Sequence, residues 1–158
     1  MTVLTNIPTD HSSLANAFAD ASRLTVVSFC AAWCDTCTEF RAAYERIADA
    51  RPHMLFVWLD IEDDSAIAGD VDVENFPTLA VYRGATPLHF GVSLPQEGTV
   101  ARLIDALADR TESATVPDSV RDLPAPWRRP RRVGAPAPRP PRSAPCRPAR
   151  ARRAARRI

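Results

Sequence analysis

The 158-residue chain contains no lysine, so all 20 of its basic side chains are arginine. Nowhere does an apolar run approach the roughly 18 residues that a membrane-spanning helix needs, so no transmembrane segment is expected. The opening residues, MTVLTNIPTDHSSL, have no basic n-region and no apolar run of about 7–15 residues. They do not read as a signal peptide, and the expected location is cytoplasmic. Thiols are kept reduced there, and a pair of cysteines is more often catalytic or metal-binding than structural. No internal repeat is present. His11, His53 and His89 are scattered along the chain without partners.

The net charge of +1 conceals a division. Residues 1–112 hold seven Arg against seventeen Asp and Glu, a net of −10, whereas residues 113–158 hold thirteen Arg against two Asp, a net of +11. Five prolines lie before residue 113 and ten after it. Such a division is expected of a folded acidic domain, residues 1–112, followed by a disordered Pro/Arg-rich tail, residues 113–158. Stretches such as APAPRPPRSAPCRPARARRAARR carry almost no large apolar side chain to offset the entropy of ordering the backbone.

Within residues 1–112, apolar spacing predicts a helix over 10–21, with Leu14 and Phe18 on one stripe. The continuously apolar, β-branched run LTVVSFCA, 24–31, predicts a strand buried on both faces. A helix over 34–50 follows, carrying Phe40, Ala43, Tyr44 and Ile47 on one side, and then a second buried strand over 54–61. Together these form a βαβ unit. A short helix is expected at 65–69, two strands at 78–83 and 88–92 about a hairpin loop at 84–87, and a last helix at 99–110.

Cys34-Asp35-Thr36-Cys37 falls where the first buried strand gives way to a helix. Two cysteines three residues apart over a first helical turn are close enough to form a disulfide. Free N–H groups and the positive end of the helix dipole favour a thiolate at the first of them. Disulfide exchange requires a nucleophilic thiol and a second thiol that resolves the mixed disulfide. A structural zinc site would need another Cys/His pair, but Cys30 lies in the strand and Cys146 far downstream. The spacing Cys30-x3-Cys34-x2-Cys37 also matches the iron–sulfur motif of radical S-adenosylmethionine enzymes, which require a barrel of about 200 residues or more. Neither a metal nor another cofactor is expected.

Residues 25–40, TVVSFCAAWCDTCTEF, resemble the active-site strand, Trp-Cys-x-x-Cys and helix of the thioredoxin family. Asn75-Phe76-Pro77-Thr78-Leu79, followed by an apolar strand and Gly84, resembles that family's x-Pro-Thr motif. The resemblance covers residues 1 to about 111. It implies a thioredoxin-like α/β three-layer sandwich, with a central mixed sheet of four to five strands flanked by helices. It also implies a cis Pro77 facing the cysteines, and substrate contacts from Trp33, Asp35, Thr36, Phe76 and Pro77. The implied partners are protein disulfides and a thioredoxin-reductase-type electron donor, and the expected state is a monomer.

This sequence departs from the family at three places. The usual buried Asp and its Lys partner are replaced by Ser28 and Trp58, and a hydroxyl cannot hold and release a proton as a carboxylate does. The usual aromatic four residues before the first cysteine is Cys30, read either as a small buried hydrophobe or as a third redox thiol. The dipeptide between the cysteines is Asp-Thr instead of Gly-Pro, and the Asp35 carboxylate opposes a thiolate at Cys34. That opposition favours a reductant. Two functions are thus expected: a thiol–disulfide oxidoreductase that reduces protein disulfides, or a thioredoxin-fold binding module whose Arg-rich tail makes weak contact with nucleic acid or an acidic partner. For the tail, a solvated extension and an arm folded back on the acidic domain are further readings.

Overall fold

A computed structural model of the chain describes residues 3–7 and 9–128. In order these form β1 (Val3–Thr5), α1 (His11–Ala19), β2 (Leu24–Cys30), α2 (Asp35–Asp49), β3 (Leu55–Asp60), α3 (Ser65–Ala68), β4 (Thr78–Arg83), β5 (Thr86–Val92), α4 (Glu97–Leu107), α5 (Asp118–Asp122) and α6 (Ala125–Arg128). The strands make one mixed sheet in the order β1-β3-β2-β4-β5. β3 lies parallel to both β1 and β2, while β4 is antiparallel to β2 and to β5.

Helices cover both faces, which is why β2 is buried at every position. Side chains alternate between faces along a strand. Leu24 and Val26 of β2 therefore join Phe56, Leu79 and Val81 under the apolar stripes of α2 and α4. Val27 and Phe29 point the other way, into a second core with Leu14 and Phe18 of α1. Tyr44 ties α2 to the sheet: its buried hydroxyl donates to the carbonyls of Val26 at 2.9 Å and Val57 at 3.0 Å. Gly84 turns the β4–β5 hairpin with φ +54°, and a Cβ there would stand 3.0 Å from the Cα of Ala21. Both the backbone conformation and the close approach require glycine.

The boundary expected at residue 112 falls too early. Residues 113–128 do not form a separate tail: Val116, Val120, Leu123 and Trp127 are buried in the second core. The N–H of Ala114 donates to the Pro87 carbonyl on the edge strand at 2.8 Å. The Tyr82 hydroxyl donates to the Val120 carbonyl at 2.7 Å, and the Trp127 ring stacks on Phe18 with centroids 5.5 Å apart. The four apolar residues recur at helical intervals, enough to bury one side of two short helices. The prolines among them, Pro117, Pro124 and Pro126, sit at or near helix starts, where a missing N–H costs little. The expected disorder of the remaining residues, 129–158, and any contact made by their arginines lie outside the described residues.

The sheet edge carries a titratable group. His89 on β5 is half-buried, and burial, with the nearby Arg110 charge as a lesser cause, holds its imidazole below the usual pKa. The folded chain therefore binds that proton less readily than the unfolded chain, and stability falls as the pH drops below about 6.5. The melting temperature should fall between about pH 7.5 and 5.5, and His89→Gln should flatten that fall. An equal pH slope in the variant would place the proton uptake elsewhere.

Candidate active site

β2 ends at Cys30, and a tight turn, in which the Cys34 N–H donates to the Ala31 carbonyl at 3.0 Å, leads into α2. Cys34 is the N-cap of α2, with extended backbone angles (φ −87°, ψ 109°). Its carbonyl accepts the Thr38 N–H at 3.1 Å. Its thiol is half-exposed and free. Asp35 and Thr36 are exposed on the first turn. Cys37 lies one turn in and is 1% exposed, because the stripe that carries Phe40 and Tyr44 against the sheet also includes position 37.

The x-Pro-Thr segment stands beside this helix start. The Phe76–Pro77 bond is cis. The Pro77 carbonyl accepts the Ser93 N–H at 3.0 Å, and the Thr78 hydroxyl donates to the Asn75 carbonyl at 2.7 Å. Trp33, 63% exposed, packs edge to face on Phe76 with centroids 5.6 Å apart, and its indole N–H donates to Glu62 at 3.2 Å. Val92 and Leu94, which flank Ser93, are also large, apolar and exposed. Trp33 and Phe76 thus join the two loops, and Val92 and Leu94 extend the apolar rim along the Pro77 segment. No motif singles out Val92 and Leu94. The available signal is their position flanking the residue bonded to Pro77, which depends on the fold.

The expected disulfide differs. Cys37 is joined to Cys30, with Cα atoms 5.9 Å apart, and not to Cys34. The reason lies in strand alternation: Cys30 shares a face of β2 with Leu24 and Val26, the face covered by α2, and its position at the strand end puts it beneath the helix's first turn. Cys30 is 1% exposed. Its sulfur lies 3.7 Å from the hydroxyl oxygen of Ser28, which is fully buried on the same face. The residue in place of the family's buried carboxylate therefore contacts a sulfur of the Cys30–Cys37 pair.

Trp58, at the other altered family position, pairs in register with Ser28. Its ring lies 4.8 Å below the Arg41 guanidinium. An open cavity of about 340 Å³ runs between α2 and β3, and Cys37, Arg41, Trp58 and Asp60 are among its walls. Asp60 accepts the N–H groups of Glu62 at 2.9 Å and Asp63 at 3.1 Å. Arg41 and Asp60 are thus the charged groups beside the buried cysteine. Among the described residues no group of three or more His, Cys, Asp or Glu side chains is arranged to hold a metal ion, and no helix is long and apolar enough to cross a membrane.

Comparison with known proteins agrees with this geometry. The family model for thioredoxin matches residues 6–105. A thioredoxin from Ophiophagus hannah is 30% identical over 78 residues, covering 49% of this chain and 71% of the relative. Thioredoxin-2 of Saccharomyces cerevisiae is 33% identical over 73 residues, covering 46% and 70%. The crystal structure of thioredoxin from Trypanosoma brucei brucei aligns with a TM-score of 0.55 at 26% identity, over 68% of this chain and 92% of that one.

Proposed function

Because the chain belongs to the thioredoxin family of redox proteins, we propose that it reduces protein disulfides through Cys34 and Cys37. The observation that supports this most directly is the position of Cys34: a free, half-exposed thiol at the N-cap of a fifteen-residue helix, beside the apolar rim of Trp33 and Phe76. In the reduced chain the Cys34 thiolate attacks one sulfur of a substrate disulfide, forms a mixed disulfide and expels the other sulfur as a thiolate. Cys37 then attacks Cys34, and the reduced substrate leaves.

The exposed Trp33 ring, the half-buried Phe76 ring and the exposed Asp35 and Thr36 border the attacking sulfur, so an extended substrate segment passing the Pro77 loop meets them. A thioredoxin-reductase-type protein in the cytoplasm is the proposed electron donor, and the working form is a monomer. The full chain, supplied with dithiothreitol, should reduce and precipitate insulin, and Cys34→Ser should do so no faster than dithiothreitol alone. Undiminished insulin reduction by Cys34→Ser would remove Cys34 as the nucleophile.

A further inference from the structure

Three thiols meet at the start of α2, and the proposed reaction uses two of them. The third, Cys30, is buried beneath the first helical turn with its Cα 5.9 Å from that of Cys37, inside the range of native disulfides. Cys37 therefore has two neighbours with which it can bond: Cys34, three residues earlier on the helix, and Cys30 on the strand below. The pair with Cys30 is enclosed, whereas a bond to Cys34 lies at the half-exposed helix end.

We propose that Cys30 is a third redox thiol, which moves the active-site disulfide inward and returns Cys34 to its free form. The proposal rests on the reading of Cys34 and Cys37 as the reacting pair. When a substrate disulfide has been reduced, the chain holds a Cys34–Cys37 disulfide and a Cys30 thiol. The Cys30 thiolate attacks the Cys37 sulfur, the Cys34–Cys37 bond breaks, and Cys34 leaves as a thiolate that takes up the proton Cys30 gave to solvent. One disulfide is exchanged for another within the chain, so no external oxidant or reductant is consumed. The Ser28 hydroxyl, 3.7 Å from the Cys30 sulfur, is placed to donate to that sulfur as it becomes charged.

The oxidised chain then holds its two oxidising equivalents in a buried bond and still presents a nucleophile at Cys34. Mixed disulfides formed in that state have no free Cys37 to resolve them. Release falls to a second thiol on the substrate, which leaves the substrate's disulfides rearranged and not reduced.

The test is disulfide mapping on the full chain carrying Cys146→Ala, so that Cys30, Cys34 and Cys37 are its only thiols. The protein is oxidised with diamide, alkylated with iodoacetamide, and digested for mass spectrometry. The expected result is a Cys30–Cys37 cross-linked peptide and an alkylated Cys34. The same oxidation of a Cys30→Ala variant should protect Cys34 from alkylation. Should that variant fold poorly, Cys34→Ser supplies an independent measurement, since its two remaining thiols should both disappear on oxidation and return with dithiothreitol. A protected Cys34 in the parent chain, or persistent thiols in oxidised Cys34→Ser, would overturn the role of Cys30. Insulin reduction by the same preparations reports separately on the parent reading. Failure there with the expected map would reject the reductase function and leave the inner disulfide standing.

Discussion

A chain ending at Glu112 is expected to lose most of its cooperative folding, although everything matched by the thioredoxin family model is retained. The removed segment supplies Val116, Val120, Leu123 and Trp127 to the second core. Its loss exposes the face of Phe18 on which Trp127 stacks, and deprives the buried Tyr82 hydroxyl of the Val120 carbonyl. Removing a buried aromatic side chain alone typically costs about 3–5 kcal/mol. Leaving a buried hydroxyl without its acceptor costs about 1–3 kcal/mol more. Domains of this size are stable by only about 5–15 kcal/mol in total. Thermal unfolding followed by circular dichroism should therefore show a broad, low transition for residues 1–112 and a cooperative one for residues 1–128. Trp127→Ala in the full chain should fall between them. A 1–112 fragment that melts at the temperature of the full chain would mean that the second core closes without α5 and α6.

The regular part of this fold was legible because its local signals agree with one another. β4 runs over the predicted residues, and β2 and α2 agree to within a residue at each end. In each, the apolar pattern, its length and its flanking turn residues point the same way. β1 leaves no signal in the sequence because three residues are too few to show a period, and its place at the sheet edge comes from pairing with β3. β5 begins two residues earlier than its apolar run, since an edge strand tolerates Pro87. Residues 113–128 are hard to read for a different reason. Proline and charge dominate their composition and mask the helical spacing of Val116, Val120, Leu123 and Trp127.

The site divides in the same manner. Cys34, Cys37 and Pro77 announce themselves by motif. That Cys37 meets Cys30 follows from which face of β2 lies under α2, and that is a tertiary fact. It was nevertheless within reach, because Cys30 has the same parity as Val26 in a strand leading directly into the helix. Ser28 shows the limit of reading by position. The missing carboxylate is evident in the sequence, but the contact between its replacement and the Cys30 sulfur depends on the packing.

Cys37→Ser should stop catalytic turnover while preserving the first chemical step. With Cys34 intact, the variant still attacks a substrate disulfide. The sulfur that would resolve the product is gone, and the serine hydroxyl is far too weak an acid to replace it at neutral pH. Resolution within one chain exploits effective concentrations that reach about 10⁵–10⁸ M in well-oriented cases. Dithiothreitol at millimolar concentration, attacking from solution, cannot match even a small fraction of that advantage. Turnover with insulin should fall by on the order of a thousandfold or more, and an insulin-chain adduct at Cys34 should be visible on a non-reducing gel and vanish on reduction. Cys30 should not rescue the variant, because it is buried under the helix and faces position 37. Its route to Cys34 passes through the sulfur that has been removed. A Cys37→Ser variant that cycles at the parent rate would show that Cys30 resolves Cys34 directly, and the sequence of thiols would have to be redrawn with Cys30 in the second place.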